Sequence, residues 1–337
     1  MRKGDNPNKS KLAEHSQFLH QVIIPVYIPN AEGYFQDSLR ILKLGLESLF
    51  QTVHSLTFVS IVNNGSSQIV LEYLNELLAH GKIHELIHTN NCGKVNAVLK
   101  ALAGSNIKVV TIADSDVMFL SGWQSATMQI FNEFPKVGVV GLTPQIKMFK
   151  NYCGNVLWDN LFNKSMRFLP IMDPDAMQHF YDSIGWGKSF NPDYLKYGLG
   201  ISKNGVSCFV GSGHYVATYR KDIFSDINSF VSGNKVAGKG EDYIDAKVLE
   251  KDYWRVTTHK NYALHMGNIY EEWMSSNVKD DQPDTVIEYQ YKIQKGPKSK
   301  HYQKLKNRTV IKVLKIRFFE KLFFRLKGLP KNVRHNY

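Results

Sequence analysis

Lys108-Val109-Val110-Thr111-Ile112-Ala113-Asp114-Ser115-Asp116-Val117-Met118 places two carboxylates directly behind a short apolar run. Val109, Val110, Ile112 and Ala113 make the pattern of a central strand covered on both faces, as in a parallel sheet. Asp114 and Asp116 end it. In open α/β sheets ligands bind beyond the carboxyl ends of the strands, so acids at that edge face a cleft. Two carboxylates one residue apart suit a hard divalent ion and, through it, a diphosphate. The plain alternative is a solvated loop or helix cap. Asp173 and Asp175 repeat the pattern around Pro174 with no strand expected before them.

Working outward, strand and helix alternate. Gln21–Tyr27 reads as a first strand, with Pro25 inside it and Tyr27 opening a loop through Pro29, Asn30 and Gly33. Leu39, Leu42, Leu46 and Leu49 recur at helical spacing. Phe58–Val62 forms a second strand ending in the turn Asn63-Asn64-Gly65-Ser66. A helix closed by Gly81, a short strand at Glu85–His88, and Gly93-Lys94 leading into another helix bring the chain to Lys108. This alternation predicts an α/β fold with a mostly parallel central sheet.

Beyond Asp116, Gly122–Phe134 reads as a helix and Val137–Gly141 as a strand. Residues 151–204 look irregular and aromatic, the composition of functional loops. Gly211-Ser212-Gly213 lies between two apolar runs, where missing side chains admit a ligand or another backbone. Glu241 and Asp242 open a helix that runs to about Glu250. Trp254–Leu264 reads as one strand ending at His265. No internal repeat is visible.

The chain of 337 residues is 43% hydrophobic, enough for a substantial core. Cys92, Cys153 and Cys208 are odd in number and show no paired spacing, which argues against a disulfide framework or a zinc site and fits a reducing environment. Residues 1–19 read as a polar, flexible leader without the apolar core of a secretory signal. The net charge of +12 is local: Lys298–Arg334 holds 13 of the 42 Lys and Arg residues and one of the 30 acids, Glu320. The remainder is neutral, and with no recognisable binding motif a nucleic-acid partner is not expected.

The ordered set of Tyr27, Asn63-Asn64-Gly65-Ser66, Gly93-Lys94, Asp114-Ser115-Asp116, Glu241-Asp242 and His265 resembles glycosyltransferases of the GT-A fold, family 2 most of all. The resemblance spans roughly residues 20–270. It implies a catalytic domain over 20–275, divided into a nucleotide-binding half (20–120) and an acceptor half (121–275); beyond it, composition reads as a polar linker (276–300) and a basic amphipathic tail (301–337). It further implies that Pro25, Tyr27, Asn63, Asn64, Gly93, Lys94 and Asp114 hold the nucleotide, that Asp116 and His265 hold Mn2+ or Mg2+, and that Asp242, with Glu241 beside it, is the base. Gly211, Ser212, Gly213 and Trp186 would line the donor and acceptor loop. Asn63-Asn64 departs from the family's acidic turn, although an amide oxygen still accepts a hydrogen bond from a uracil N–H.

The implied reaction is metal-dependent, inverting transfer of a sugar from a nucleotide-sugar, UDP-sugar favoured, to a glycan or lipid-linked acceptor in surface polysaccharide synthesis. Trp158, Tyr181, Trp186 and Tyr194 would wall the acceptor, or be core. Each site residue also has a plainer reading: Glu241 and Asp242 as helix caps, His265 as a satisfied core histidine, Lys94 as a surface lysine. The tail, too short in apolar runs to span a bilayer, suits either an anionic membrane surface at the cytoplasmic face or packing on the body. Alternatives are a sugar-nucleotide pyrophosphorylase, disfavoured by the lack of a Gly-rich loop after the first strand, and an inactive sugar-nucleotide-binding or membrane-scaffolding protein.

Overall fold

The computed structural model describes residues 4, 16–186, 190–227, 231, 233, 239–277, 282–290, 299–334 and 337; the side chains of 147 and 239–242 lie outside the description. The strands are β1 (His20–Val26), β2 (Thr57–Asn63), β3 (Glu85–His88), β4 (Val109–Ala113), β5 (Val117–Phe119), β6 (Val137–Gly141), β7 (Met166–Pro170), β8 (Tyr197–Lys203), β9 (Val206–Val210), β10 (Val216–Arg220), β11 (Trp254–Thr258) and β12 (Ala263–His265). Ten form one sheet in the order β3-β2-β1-β4-β10-β6-β11-β9-β8-β7, while β5 and β12 form a second, small antiparallel sheet. The first four are parallel, as their helical connections require. Beyond β4 the sheet becomes mixed, because β10 runs antiparallel to both β4 and β6.

All five residues of β4 are buried, as the apolar run predicts. Alternate residues of β1 serve two helical layers. Val22 and Ile24 pack with Leu42, Leu46 and Leu49 of the helix Ser38–Thr52. Ile23 packs on the opposite face with Val95, Val98 and Ala101 of the helix Lys94–Leu102.

Several expectations need correction. Residues 151–204 are not irregular: they contain the helices Gly154–Asp159 and Pro174–Ser183 as well as β7 and β8. The second Asp-x-Asp therefore does follow a strand, and Asp173 Oδ2 accepts from the Asn261 N–H at 2.8 Å. Trp254–Leu264 is two strands in two different sheets, β11 and β12. Part of the expected linker straps the body, with Asp284 Oδ2 accepting from the backbone N–H groups of Gln124 (2.8 Å) and Ser125 (3.0 Å) at the start of the helix Trp123–Glu133. The basic C-terminal helices Lys300–Leu314 and Arg317–Leu326 pack on the body, burying Leu314, Phe323 and Phe324 against Phe149, Val156 and Phe168.

A polar network lies under the sheet at the amino end of β1. His20 is fully buried, its Nε2 2.7 Å from Thr111 Oγ1 and its Nδ1 2.9 Å from Gln124 Nε2. Gln124 Oε1 accepts from the His54 N–H, so its amide nitrogen must donate to His20 Nδ1. A proton on Nδ1 would oppose that donor, and burial, with His54 nearby, lowers the His20 pKa from 6.5 to about 3. Folding thus gains stability from neutral His20 above pH 6.5, which is lost as pH falls towards the folded value. Between pH 6.5 and 5.5 wild type is expected to lose about 1 kcal/mol more than His20→Gln, measured by urea unfolding.

Candidate functional site

Three residues carry the chain from one sheet to the other. The Asp114 N–H still donates to Tyr215 O at 2.7 Å, whereas Asp116 O accepts from the Met266 N–H at 2.8 Å, beside the pairing of Val117 with His265. The intervening turn projects both carboxylates into a cleft of about 310 Å3 at the carboxyl ends of β1 and β4. Pro25, Tyr27, Asn64, Lys94, Asp114 and Asp116, all expected at the site, line it together.

Asp114 forms an ion pair with Lys94 at 2.5 Å, the lysine standing first in its helix behind Gly93. Asp116 is arranged differently. Its Oδ1 is buried without a hydrogen-bond partner among the described residues, and its Oδ2 lies 3.4 Å from His265 Nε2. The other ring nitrogen of His265 is 2.9 Å from Ser183 Oγ, and the Tyr215 ring stands edge-on at 5.3 Å. Burial, with Asp116 and Asp114 adding, pushes the Tyr215 phenol well above its ordinary pKa, and its OH meets Thr143 Oγ1 and Ala263 O. Asp116 thus offers one oxygen without a partner among the described residues and a second beside His265, whose far ring nitrogen Ser183 already meets, and carboxylate with imidazole is donor chemistry that a divalent ion accepts. Asp116 and His265 therefore fit a divalent ion, although no cluster of three or more His, Cys, Asp or Glu exists among the described residues.

The asparagine turn divides its work. Asn63, at the end of β2, is buried and does not line the cleft: its Oδ1 accepts from the Ser66 N–H at 3.0 Å, and its Nδ2 lies 3.2 Å from His88 Nδ1. Asn64 Oδ1 accepts from the Cys92 N–H at 2.9 Å, so this amide oxygen already braces the loop that carries Asn91 and leads to Lys94. That loop comes so close that a Cβ on Gly65, at φ +89°, would lie 2.9 Å from Asn91 N.

Other expected residues lie elsewhere. Gly211 and Gly213 admit the chain itself: a Cβ would meet Met148 at the first and the Gln145 side chain at the second, and Ser212 is buried between them. Tyr181 and Tyr194 are core residues grouped with Phe190, and Trp158 lies on another face, so of the proposed acceptor wall only Trp186 remains exposed near the cleft-side helix Pro174–Ser183. Glu241 and Asp242 occupy the first turn of the helix Lys239–Glu250, but their side chains lie outside the described residues. Sequence reasoning missed Tyr34, Asn91 and the 267–268 turn, which line the cleft where Asn268 Nδ2 donates to Tyr34 O at 3.1 Å. Gly33 and Gly267, both at positive φ, were the available signal.

A buried ion pair fixes the helix of Glu241 and Asp242. Arg255 on β11, fully buried, pairs with Asp245 at 2.7 Å and donates to Ser212 O and Asn151 O; His214 Nε2 is 3.3 Å from the same carboxylate.

Comparisons place these observations. The sequence model described as glycosyl transferase family 2 matches residues 22–192, about half of the chain. No curated protein sequence matches. Among solved structures, S. aureus TarS 1–349 is similar at 13% identity, covering 73% of this chain and 60% of that one, with TM-score 0.44. The mannosyltransferase PcManGT of Pyrobaculum calidifontis, solved with GDP-Man and Mn2+, shows 14% identity over 79% of this chain and 62% of that one, with TM-score 0.44. GalNAc-T7, solved with UDP, GalNAc and Mn2+, shows 11% identity over 75% and 44%, with TM-score 0.48. The chain thus spans about 60% of the TarS structure it matches.

Removing one member of a buried ion pair leaves the other charge uncompensated. Arg255→Leu is expected to lower stability by about 3–5 kcal/mol, read from urea unfolding, with Asp245→Asn in the same background restoring part of the loss.

Proposed function

The chain belongs to glycosyl transferase family 2, and from that premise we propose that its cleft binds a nucleoside diphosphate sugar, UDP-sugar before GDP- or dTDP-sugar, and transfers the sugar with inversion to a glycan or lipid-linked acceptor in surface polysaccharide synthesis. The observation that carries this reading is the buried, unpartnered Asp116 Oδ1, with His265 Nε2 3.4 Å from its sister oxygen, at the mouth of a cleft already holding the Asp114–Lys94 pair. Asp116 and His265 would hold Mn2+ or Mg2+. When bound, the ion supplies positive charge to the leaving diphosphate.

The chain's own residues supply the rest. Tyr27 and the backbone of β1 form the wall for the base and ribose, and Asn64 holds the Asn91 loop against it. Lys94, paired with Asp114 at the cleft, would add a point charge for a phosphate. Asp242 is assigned as the base: its carboxylate takes the acceptor hydroxyl proton while that oxygen bonds to the anomeric carbon and the bond to the diphosphate oxygen breaks. Glu241 stands beside it, and the Arg255–Asp245 pair one turn later fixes the helix they share. Trp186 would meet the acceptor. The enzyme is placed at the cytoplasmic face of an anionic membrane through its basic C-terminal helices. No helix among the described residues is long and apolar enough to cross a membrane.

Calorimetric titration of UDP with and without Mn2+ tests the donor site. Metal-dependent binding that disappears in Asp116→Ala supports it, and absence of binding to UDP, GDP and dTDP alike overturns it. Asp242→Asn should keep donor affinity and lose turnover on the order of 10²–10⁴-fold; unchanged turnover removes Asp242 as the base.

A further inference from the structure

The C-terminal helices bury one face and leave a second one apolar. Between Lys300–Leu314, Arg317–Leu326 and residues 157–162 runs a cleft of about 310 Å3, lined by Leu, Val, Phe and Trp side chains and one Thr. Its walls come from two parts of the chain. Trp158 (57% exposed) and Phe162 (88% exposed) belong to the body; Val313, Phe319, Leu322 and Leu326 belong to the helices.

Charge flanks this surface in register. On Arg317–Leu326, the residues Phe318, Leu322 and Leu326 follow one row at spacing four, and Arg317, Lys321 and Arg325 make the adjoining row. Arg308, Lys312, Lys315, Arg317, Lys321 and Arg325 are all exposed, and none has a carboxylate at ion-pair distance among the described residues. The neighbouring acids are already engaged, Glu320 by Lys150 and Asp159 by Lys136 and Lys306. An exposed apolar patch of this kind marks a site of interaction, and uncompensated bases around it select an anionic partner.

We propose that this composite face docks on an anionic phospholipid bilayer, with Trp158 and Phe162 of the body entering the interface together with Phe318, Phe319 and Leu322. The flanking Lys and Arg stems lie along the apolar surface and carry their charges to the headgroups. The inference rests on the membrane reading above and alters it. The C-terminal segment is no detachable anchor, since Phe323, Phe324, Leu329 and Val333 are core residues; the body itself contributes Trp158 and Phe162 to the docking surface. A second copy of the chain fits less well, because joining two such faces opposes like charges.

Co-sedimentation of the full chain with phosphatidylglycerol and phosphatidylcholine vesicles at low and high salt tests this, with UDP titration on the same samples. The expected result is salt-sensitive binding to phosphatidylglycerol vesicles that falls roughly tenfold or more in Trp158→Ala/Phe162→Ala, while UDP binding and melting temperature stay at wild-type values. Equal binding to both lipids, or none, overturns the proposal. So does a double variant that binds like wild type while Arg317→Gln/Lys321→Gln/Arg325→Gln loses binding, which would assign attachment to the helices alone. A dimer in light scattering that Phe162→Asp dissolves would make the face a self-association surface and also overturn it. Vesicle binding that follows the expected pattern in samples lacking any nucleotide affinity supports the docking face and removes the donor reading.

Discussion

The site depends on where β4 leaves the large sheet. At Asp114 the backbone is still hydrogen-bonded to Tyr215 beside β10; at Asp116 it is bonded to Met266 beside β12. Two carboxylates fall inside this transfer, so their positions are set by backbone bonds on both sides rather than by a free loop. The same step brings His265 to Asp116, because β12 pairs with the strand that immediately follows the acids. A carboxylate oxygen kept from water with no partner is costly. The surrounding sheet pairing holds that cost in place.

A second constraint acts from below. β10 lies between β4 and β6 and runs against both, so its residues Thr218 and Arg220 meet the buried polar network and the cation contacts at the opposite end from the cleft. The loop before β10 carries His214 to Asp245, and Arg255 joins that carboxylate to Ser212 O and Asn151 O. One buried charge pair thus ties β11, the Gly211–Gly213 turn and the helix of Glu241 and Asp242 into a single body. The glycines there are explained by chain meeting chain.

The central strands were legible because they are apolar runs between turn residues: Val109–Ala113 and Val137–Gly141 have the bounds the pattern predicts. Asn64 at the cleft was legible; its neighbour Asn63 was not separable from it without knowing which face of β2 each residue takes, since side chains alternate along a strand. Residues 151–204 misled because their elements are short and their aromatics serve a core, with Tyr181 and Tyr194 packed among Phe180, Phe190 and Tyr337. Trp254–Leu264 hid its turn, as both ends are apolar and the break at residues 259–262 carries no Gly or Pro. The C-terminal helices carry apolar residues of both kinds, Leu314, Phe323 and Phe324 covered by the body and Phe318, Phe319 and Leu322 exposed.

Trp158 and the cleft lie towards opposite ends of the strands. Trp158 precedes Asp159, which is tied to Lys136 and to Trp254 at the amino ends of β6 and β11. β6 runs in the same direction as β4, since β10 is antiparallel to both, so Asp114 and Asp116 leave from the far end of the sheet. Five residues of strand separate the two ends by roughly 17 Å before loops are added. A chain docked through Trp158 and Phe162 therefore presents its cleft away from the lipid.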